Sequence, residues 1–210
     1  MSKGFFITFE GSEGCGKSTH IKLLASYFQK RGLECVITRE PGGAPLSEKI
    51  RELLLHAKEG NTMSSRTELL LFEAARNQHV VETISPALKQ GKIVISDRFY
   101  DSTTAYQGAA RKLASDDVQW LNNFATEGLS PDLTIILDTP VEEGLRRANK
   151  RDDNNTDRMG AQKKSFYEDV RSAFLRLAQQ FPERVVVVSA MGTKEETFEK
   201  IVAVVESKIK

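Results

Sequence analysis

Disulfide scaffolding is excluded from the start, because the chain has only two cysteines in 210 residues, too few for the staples of a small secreted domain. A membrane-spanning helix is also absent from the pattern: no stretch approaches the ~18 consecutive apolar residues that a span needs. The first residues, MSKGFFITFEGSEGCGK, turn into glycines before an apolar run long enough for a signal peptide can form. Cys15 and Cys35 are therefore expected to be reduced thiols in the cytoplasm. There is almost no net charge either. Thirty basic and 29 acidic residues leave +1, so nothing in the bulk calls for nucleic acid or an anionic membrane as partner.

What is present describes a globular chain. Apolar residues make up 40% and charged residues 28%, enough for a sizeable core; the length suggests one domain, spanning 1–210, with room for a mobile appendage. Five short apolar runs read as buried strands: Phe5 to Phe9, Cys35 to Thr38, Ile93 to Ser96, Leu133 to Leu137 and Val185 to Val188. Helical periodicity fills the intervals at Lys17 to Arg31, Leu46 to His56, Arg66 to Gln90, Val118 to Glu127, Val141 to Lys150, Lys163 to Phe181 and Glu195 to Lys208. Strands apolar on both faces, alternating with helices, predict a parallel sheet covered on both sides, an α/β doubly wound fold. Lys150 to Gly160, KRDDNNTDRMG, breaks the pattern and reads as an exposed polar loop.

Gly11 to Ser18, GSEGCGKS, fits G-x-x-x-x-G-K-[ST] between a predicted strand and a predicted helix, the context a phosphate-binding loop requires. Its glycines let backbone N–H groups turn in around an anion, and the helix that follows aims its N-terminus at the same point. Lys17 adds a cation for the β- and γ-phosphates, and the Ser18 hydroxyl is a magnesium ligand. Gly11, Ser12, Glu13, Gly14, Cys15, Gly16, Lys17, Ser18 and Thr19 are thus the expected nucleotide-binding set, with the Cys15 thiol facing away from the phosphates. The glycines do not make G-x-G-x-x-G, so dinucleotide binding is not supported.

Two further strand ends carry arginine. Asp97 and Arg98 close the third run, where Asp97 would face a metal or the acceptor and Arg98 a phosphate. Arg39 follows the second run, before Glu40-Pro41-Gly42-Gly43. In a doubly wound sheet ligands bind at that edge, so two arginines there suggest an acceptor that itself carries phosphate. Phe72 and Arg76 share one helix face, where a ring could stack on a base beside a guanidinium that donates to its carbonyl. His79 reads as structural.

GSEGCGKST, TREPGG, LLFEAARNQH and DRFYDSTTAYQG, in that order, resemble thymidylate kinase, and the similarity runs over essentially the whole chain. The resemblance implies a five-stranded parallel sheet of the nucleoside monophosphate kinase group. It implies transfer of a phosphoryl group from ATP to dTMP with Mg²⁺, as a step toward dTTP, in a homodimer. It implies that Phe72 stacks on thymine, that Arg76 donates to a ring oxygen and that Arg39 and Arg98 clamp the acceptor phosphate. Tyr106 would lie against the deoxyribose, with Ser102, Thr103 and Gln107 completing the pocket. Asp97 would help position the metal, and Glu13 would lie close to the acceptor. Gly14 stands where the eukaryotic-type enzymes carry an arginine. The chain therefore resembles the bacterial type, in which a lid, here at about 148–161, supplies the arginine from Arg151 or Arg158.

Two rival readings are weaker. A nucleoside kinase would not need both Arg39 and Arg98. A guanine-nucleotide switch would need N-K-x-D after a strand; Asn149 to Asp152 (NKRD) matches the letters but follows a helical run.

Overall fold

The computed structural model describes residues 4–56, 62–150 and 162–209. Its sheet has five parallel strands in the order β2-β3-β1-β4-β5: β1 Phe5–Glu10, β2 Cys35–Arg39, β3 Ile93–Asp97, β4 Leu133–Asp138 and β5 Val185–Ser189. Each expected strand is there, extended by a residue at its carboxyl end. The helices are α1 Lys17–Lys30, α2 Pro45–Leu55, α3 Ser65–His79, α4 Ser85–Lys89, α5 Tyr100–Thr103, α6 Ser115–Thr126, α7 Val141–Asn149, α8 Lys164–Gln180 and α9 Lys194–Lys208.

Side chains alternate across the sheet, and both faces are apolar, which is why the strands read as unbroken runs. Ile7 and Phe9 of β1 and Leu133, Ile135 and Leu137 of β4 meet Ile21, Leu24 and Phe28 of α1 and Ile201 and Val205 of α9 on one face. On the other, Phe6 and Val94 meet Val80, Ile84 and Phe99, while Ile136 and Val185 pack against Phe174 and Leu177 of α8. β1 lies between β3 and β4, so the chain departs to opposite sides of it, the crevice position for ligands in such sheets.

Two helical stretches differ from expectation. Arg66 to Gln90 reads as one helix, but a π-helical turn over Val80–Ile84 separates α3 from α4. Pro86 stands just beyond it; a proline has no N–H to donate and its ring crowds the carbonyl four residues back, which the wider turn relieves. The second is Tyr100 to Ala110, where α5 runs into another π-helical turn at Thr104–Ala110. The sequence shows no apolar period there because the buried residues are Asp101, Ser102, Thr103, Ala105, Tyr106 and Gln107, most of them polar.

Candidate active site

Parallel register brings the chemistry to one edge. Asp97 ends β3 opposite Phe9 of β1 and Arg39 of β2, so the loops after β1, β2 and β3 open on a shared cleft of about 230 Å³. Its walls include Glu13, Gly14, Gly16, Lys17 and Ser18 from the first loop, Arg39 from the second, Phe72 and Arg76 from α3, and Asp97, Arg98, Ser102, Thr103, Tyr106 and Gln107 from β3 and the helix after it. Gly11, Ser12, Cys15 and Thr19 are not on this wall: Ser12 and Cys15 are buried and Thr19 is exposed. The Cys15 thiol packs in the core with Ile7 and Phe9, and neither cysteine is disulfide-bonded.

The phosphate loop begins immediately after Glu10 and caps α1 at Gly16, whose φ is +94°. Gly14 is held at φ +72°, and a Cβ there would stand 1.9 Å from the Gly144 carbonyl oxygen of α7. No side chain fits. Lys17 curls over the loop, its Nζ donating to the carbonyls of Gly11 and Ser12, each at 3.2 Å. The Ser18 hydroxyl donates to Asp97 Oδ2 at 3.3 Å, so a hydroxyl and a carboxylate oxygen stand together beside the loop. Both are hard oxygen donors of the kind Mg²⁺ takes.

Arg98 faces this loop from β3. Its Nη1 donates to the Gly11 carbonyl at 3.0 Å and to Ser102 Oγ at 3.1 Å, and its Nη2 pairs with Glu13 Oε1 at 2.8 Å. The guanidinium carbon lies 5.1 Å from the centre of the Tyr106 ring. Tyr106 in turn sits edge-on to Phe166 and Phe174, and burial pushes its phenol well above the ordinary tyrosine value. Arg39 is half-exposed and pairs with Glu48 at 2.9 Å. Gln107 donates to Glu68 at 2.9 Å.

Arg76 is 2% exposed and heavily engaged. It donates from Nε to Glu40, from Nη1 to Glu73 and Asn122, and from Nη2 to Thr103. A guanidinium has five N–H donors, and these four bonds use all but one, on Nη2. His79 is structural in the way its isolation suggested: it is fully buried, with one ring nitrogen on Thr38 Oγ1 and the other on Glu40 Oε1.

Several site residues lie outside the sequence reading. Glu40 bridges Arg76 and His79 at 2.8 and 3.0 Å. Arg51 of α2 reaches the cleft wall and donates to the Pro41 carbonyl. Asp101 holds Arg184 at 2.6 and 3.0 Å behind the cleft. Glu10 is fully buried, and burial, with Asp101 beside it, pushes its carboxyl up to about 8. A signal for Glu10 and Glu40 existed: each is a carboxylate at the end of an apolar run, where a charge that is buried is tolerated only with partners. Arg51 gave none, since an arginine on an amphipathic helix normally faces solvent. Of the two expected lid arginines, Arg151 and Arg158, both lie outside the described residues. Asn149 ends α7, so the N-K-x-D letters begin on a helix end.

The comparisons agree with this geometry. A family model described as thymidylate kinase matches residues 9–201. Among curated proteins, a thymidylate kinase of Bacillus cytotoxicus is 46% identical over 207 residues, covering 99% of each chain. One of Leuconostoc mesenteroides is 49% identical over 191 residues, 90% of this chain and 89% of that protein. Among solved structures, a thymidylate kinase from Ehrlichia chaffeensis superposes with a TM-score of 0.79 at 34% identity, over 97% of this chain and 99% of its own. With a phosphate loop and the arginine-bearing ends of β2 and β3 on one cleft, and with the family matched over nearly the whole chain, the chain belongs to the thymidylate kinase family.

Proposed function

We propose that this chain phosphorylates dTMP to dTDP with ATP and Mg²⁺. The observation that carries the reading is the joining of two half-sites: Lys17 and Ser18 of the phosphate loop line the same cleft as Phe72, Arg98 and Tyr106. Such a cleft can hold two anionic nucleotides with their phosphates facing, and in-line placement with charge neutralisation is most of what phosphoryl transfer asks of a protein.

Lys17 and the loop N–H groups hold the donor phosphates. Arg98, with Arg39 from the end of the neighbouring strand, holds the acceptor phosphate, and Phe72 stacks on the base. Arg76 offers its remaining N–H to a ring oxygen, and Tyr106 sits where a ribose 2′-hydroxyl would stand. Ser102, Thr103 and Gln107 shape the rest of the pocket, with Glu13 beside the acceptor. The acceptor oxygen is already ionised, so no strong general base is needed. Ser18 and Asp97 would hold Mg²⁺, which would supply positive charge to neutralise the phosphates; ions of this kind take one or two protein ligands. The 148–161 segment acts as a lid that excludes water and brings Arg151 or Arg158 to the phosphates. Gly14 supports this, because the loop has no space for an arginine of its own.

We also infer a homodimer acting in the cytoplasm. Trp120 and Phe124 of α6 stack at 5.3 Å while remaining 63% and 69% exposed; α3, which packs against both α6 and α2, carries the exposed Leu70, and α2 carries the exposed Leu53. Apolar surface of this kind marks interfaces. The unpaired cysteines suit a reducing compartment.

The test is an ADP-release assay over dTMP, dUMP, UMP, CMP, AMP and thymidine. dTMP should be the preferred acceptor and thymidine a poor one. Equal use of thymidine and dTMP overturns the assignment.

A further inference from the structure

Arg98 has a backbone conformation that a side chain disfavours. Its φ is +72°, in the left-handed region where the Cβ crowds the next carbonyl. Such residues persist where their surroundings over-determine them, and here three bonds do so. The Arg98 N–H donates to the Phe9 carbonyl at 2.9 Å. The Ser96 hydroxyl donates to the Arg98 carbonyl at 2.7 Å. The N–H that follows, on Phe99, donates to Glu10 Oε1 at 2.8 Å.

The Glu10 bond differs from the others because the same carboxylate also governs the arginine's far end. Glu10 Oε2 accepts the Ser102 hydroxyl at 2.5 Å, and Ser102 Oγ accepts from Arg98 Nη1 at 3.1 Å. One side chain therefore fixes the peptide after Arg98 and the hydroxyl on which its guanidinium rests. The other buried carboxylate nearby, Asp101, is answered by Arg184. An apolar residue at the end of β1 would fill the same volume and leave the Phe99 N–H buried without an acceptor, so burial alone does not account for a carboxylate here.

We propose that Glu10 is the positioning residue for Arg98: by accepting the Phe99 N–H and the Ser102 hydroxyl, it sets the turn that aims the guanidinium at the acceptor phosphate. Glu10 touches no substrate and acts through Arg98 and Ser102. The proposal rests on the reading of Arg98 as a phosphate clamp.

The experiment uses Glu10→Ala, Glu10→Gln and Arg98→Ala in the full chain, with calorimetric binding of dTMP and of thymidine, KM for ATP, and thermal unfolding. Glu10→Ala should weaken dTMP by about tenfold or more while thymidine binding and KM for ATP stay within about twofold, because only the phosphate contact is misaimed. Glu10→Gln keeps an acceptor for the Phe99 N–H and should fall between wild type and alanine. In the Arg98→Ala background, Glu10→Ala should change dTMP binding no further, since the two act as one unit. Equal weakening of dTMP and thymidine, or unchanged dTMP binding with a lowered Tm, makes Glu10 a purely structural residue and overturns the proposal. If Arg98→Ala itself leaves dTMP binding unchanged, the clamp reading falls instead. Should Glu10→Ala not fold, the same dTMP-against-thymidine comparison in Glu10→Gln decides.

Discussion

Single charges in this protein serve stability and recognition together, and the two can be separated by measurement. Arg76 is 2% exposed and lies against Glu40 and Glu73, themselves 4% and 5% exposed. Removing it leaves Glu73 buried without its counter-charge and Glu40 with only His79 beside it, and breaking such a buried pair costs about 3–5 kcal/mol, a large part of an ordinary domain's stability. Arg76→Ala should therefore show a sharply lowered Tm before any effect on base recognition can be read. Glu10 offers a cleaner handle through pH. Its carboxyl stands at about 8 in the folded protein against 4.5 for the free group. Below 4.5 both states hold the proton. As pH rises toward 8, the unfolded chain gives it up first, so stability falls across that window and levels off above it. Glu10→Gln cannot ionise, so relative to wild type its stability should improve between pH 5 and pH 8, as urea denaturation at the two values would show. A constant difference would mean that Glu10 titrates normally.

Helices in this fold are placed by what they must touch. α7 meets the phosphate loop at Gly144, where a Cβ would lie 2.6 Å from the Glu13 carbonyl oxygen. Alanine is the better helix former by about 1 kcal/mol, but backbone oxygen cannot step aside as a side-chain tip can. Overpacking should win at about 1–3 kcal/mol: Gly144→Ala should lower the Tm and raise KM for ATP, and a variant with both unchanged would mean that α7 docks loosely. The same helix leads into the 148–161 segment. Its own arginines are committed locally, Arg146 to Glu143 and Arg147 to both Glu143 and the Ala190 carbonyl. That leaves Arg151 and Arg158 as the expected source of charge for the migrating phosphoryl group. Arg151→Ala with Arg158→Ala should lower kcat by about 10²-fold with little change in ATP affinity, since the contact is made in the transition state. Wild-type kcat in the double variant would return the search to Arg147.

At the scale of the molecule, five of the exposed apolar residues fall on three helices. Leu46 and Leu53 of α2, Leu70 of α3 and Trp120 and Phe124 of α6 are each at least half exposed, and α3 packs against both other helices. If this face joins two copies, Trp120→Glu with Phe124→Glu should turn a dimer into a monomer by light scattering, with the core and Tm of each subunit little affected because neither ring is buried within it. A wild-type monomer at micromolar concentration would refute the dimer reading.

The chain of residues alone was enough for the sheet, the phosphate loop and the family, because each rests on local chemistry. Short apolar runs such as FFITF, set between helical stretches, point to a covered parallel sheet, and GSEGCGKST works through its own backbone. The arginines at the ends of β2 and β3 could likewise be placed, since strand ends are where such a sheet binds ligands. Long-range packing decided the rest. Tyr100 to Ala110 is helical although its period is hidden, because Asp101, Ser102, Thr103 and Gln107 are held by partners from distant segments, Arg184, Glu10, Arg76 and Glu68. Glu40 and Glu10 each follow an apolar run, but the arginines near which they are buried stand more than thirty residues away in sequence. A carboxylate's neighbours are set by which strands lie side by side, and no local pattern records that.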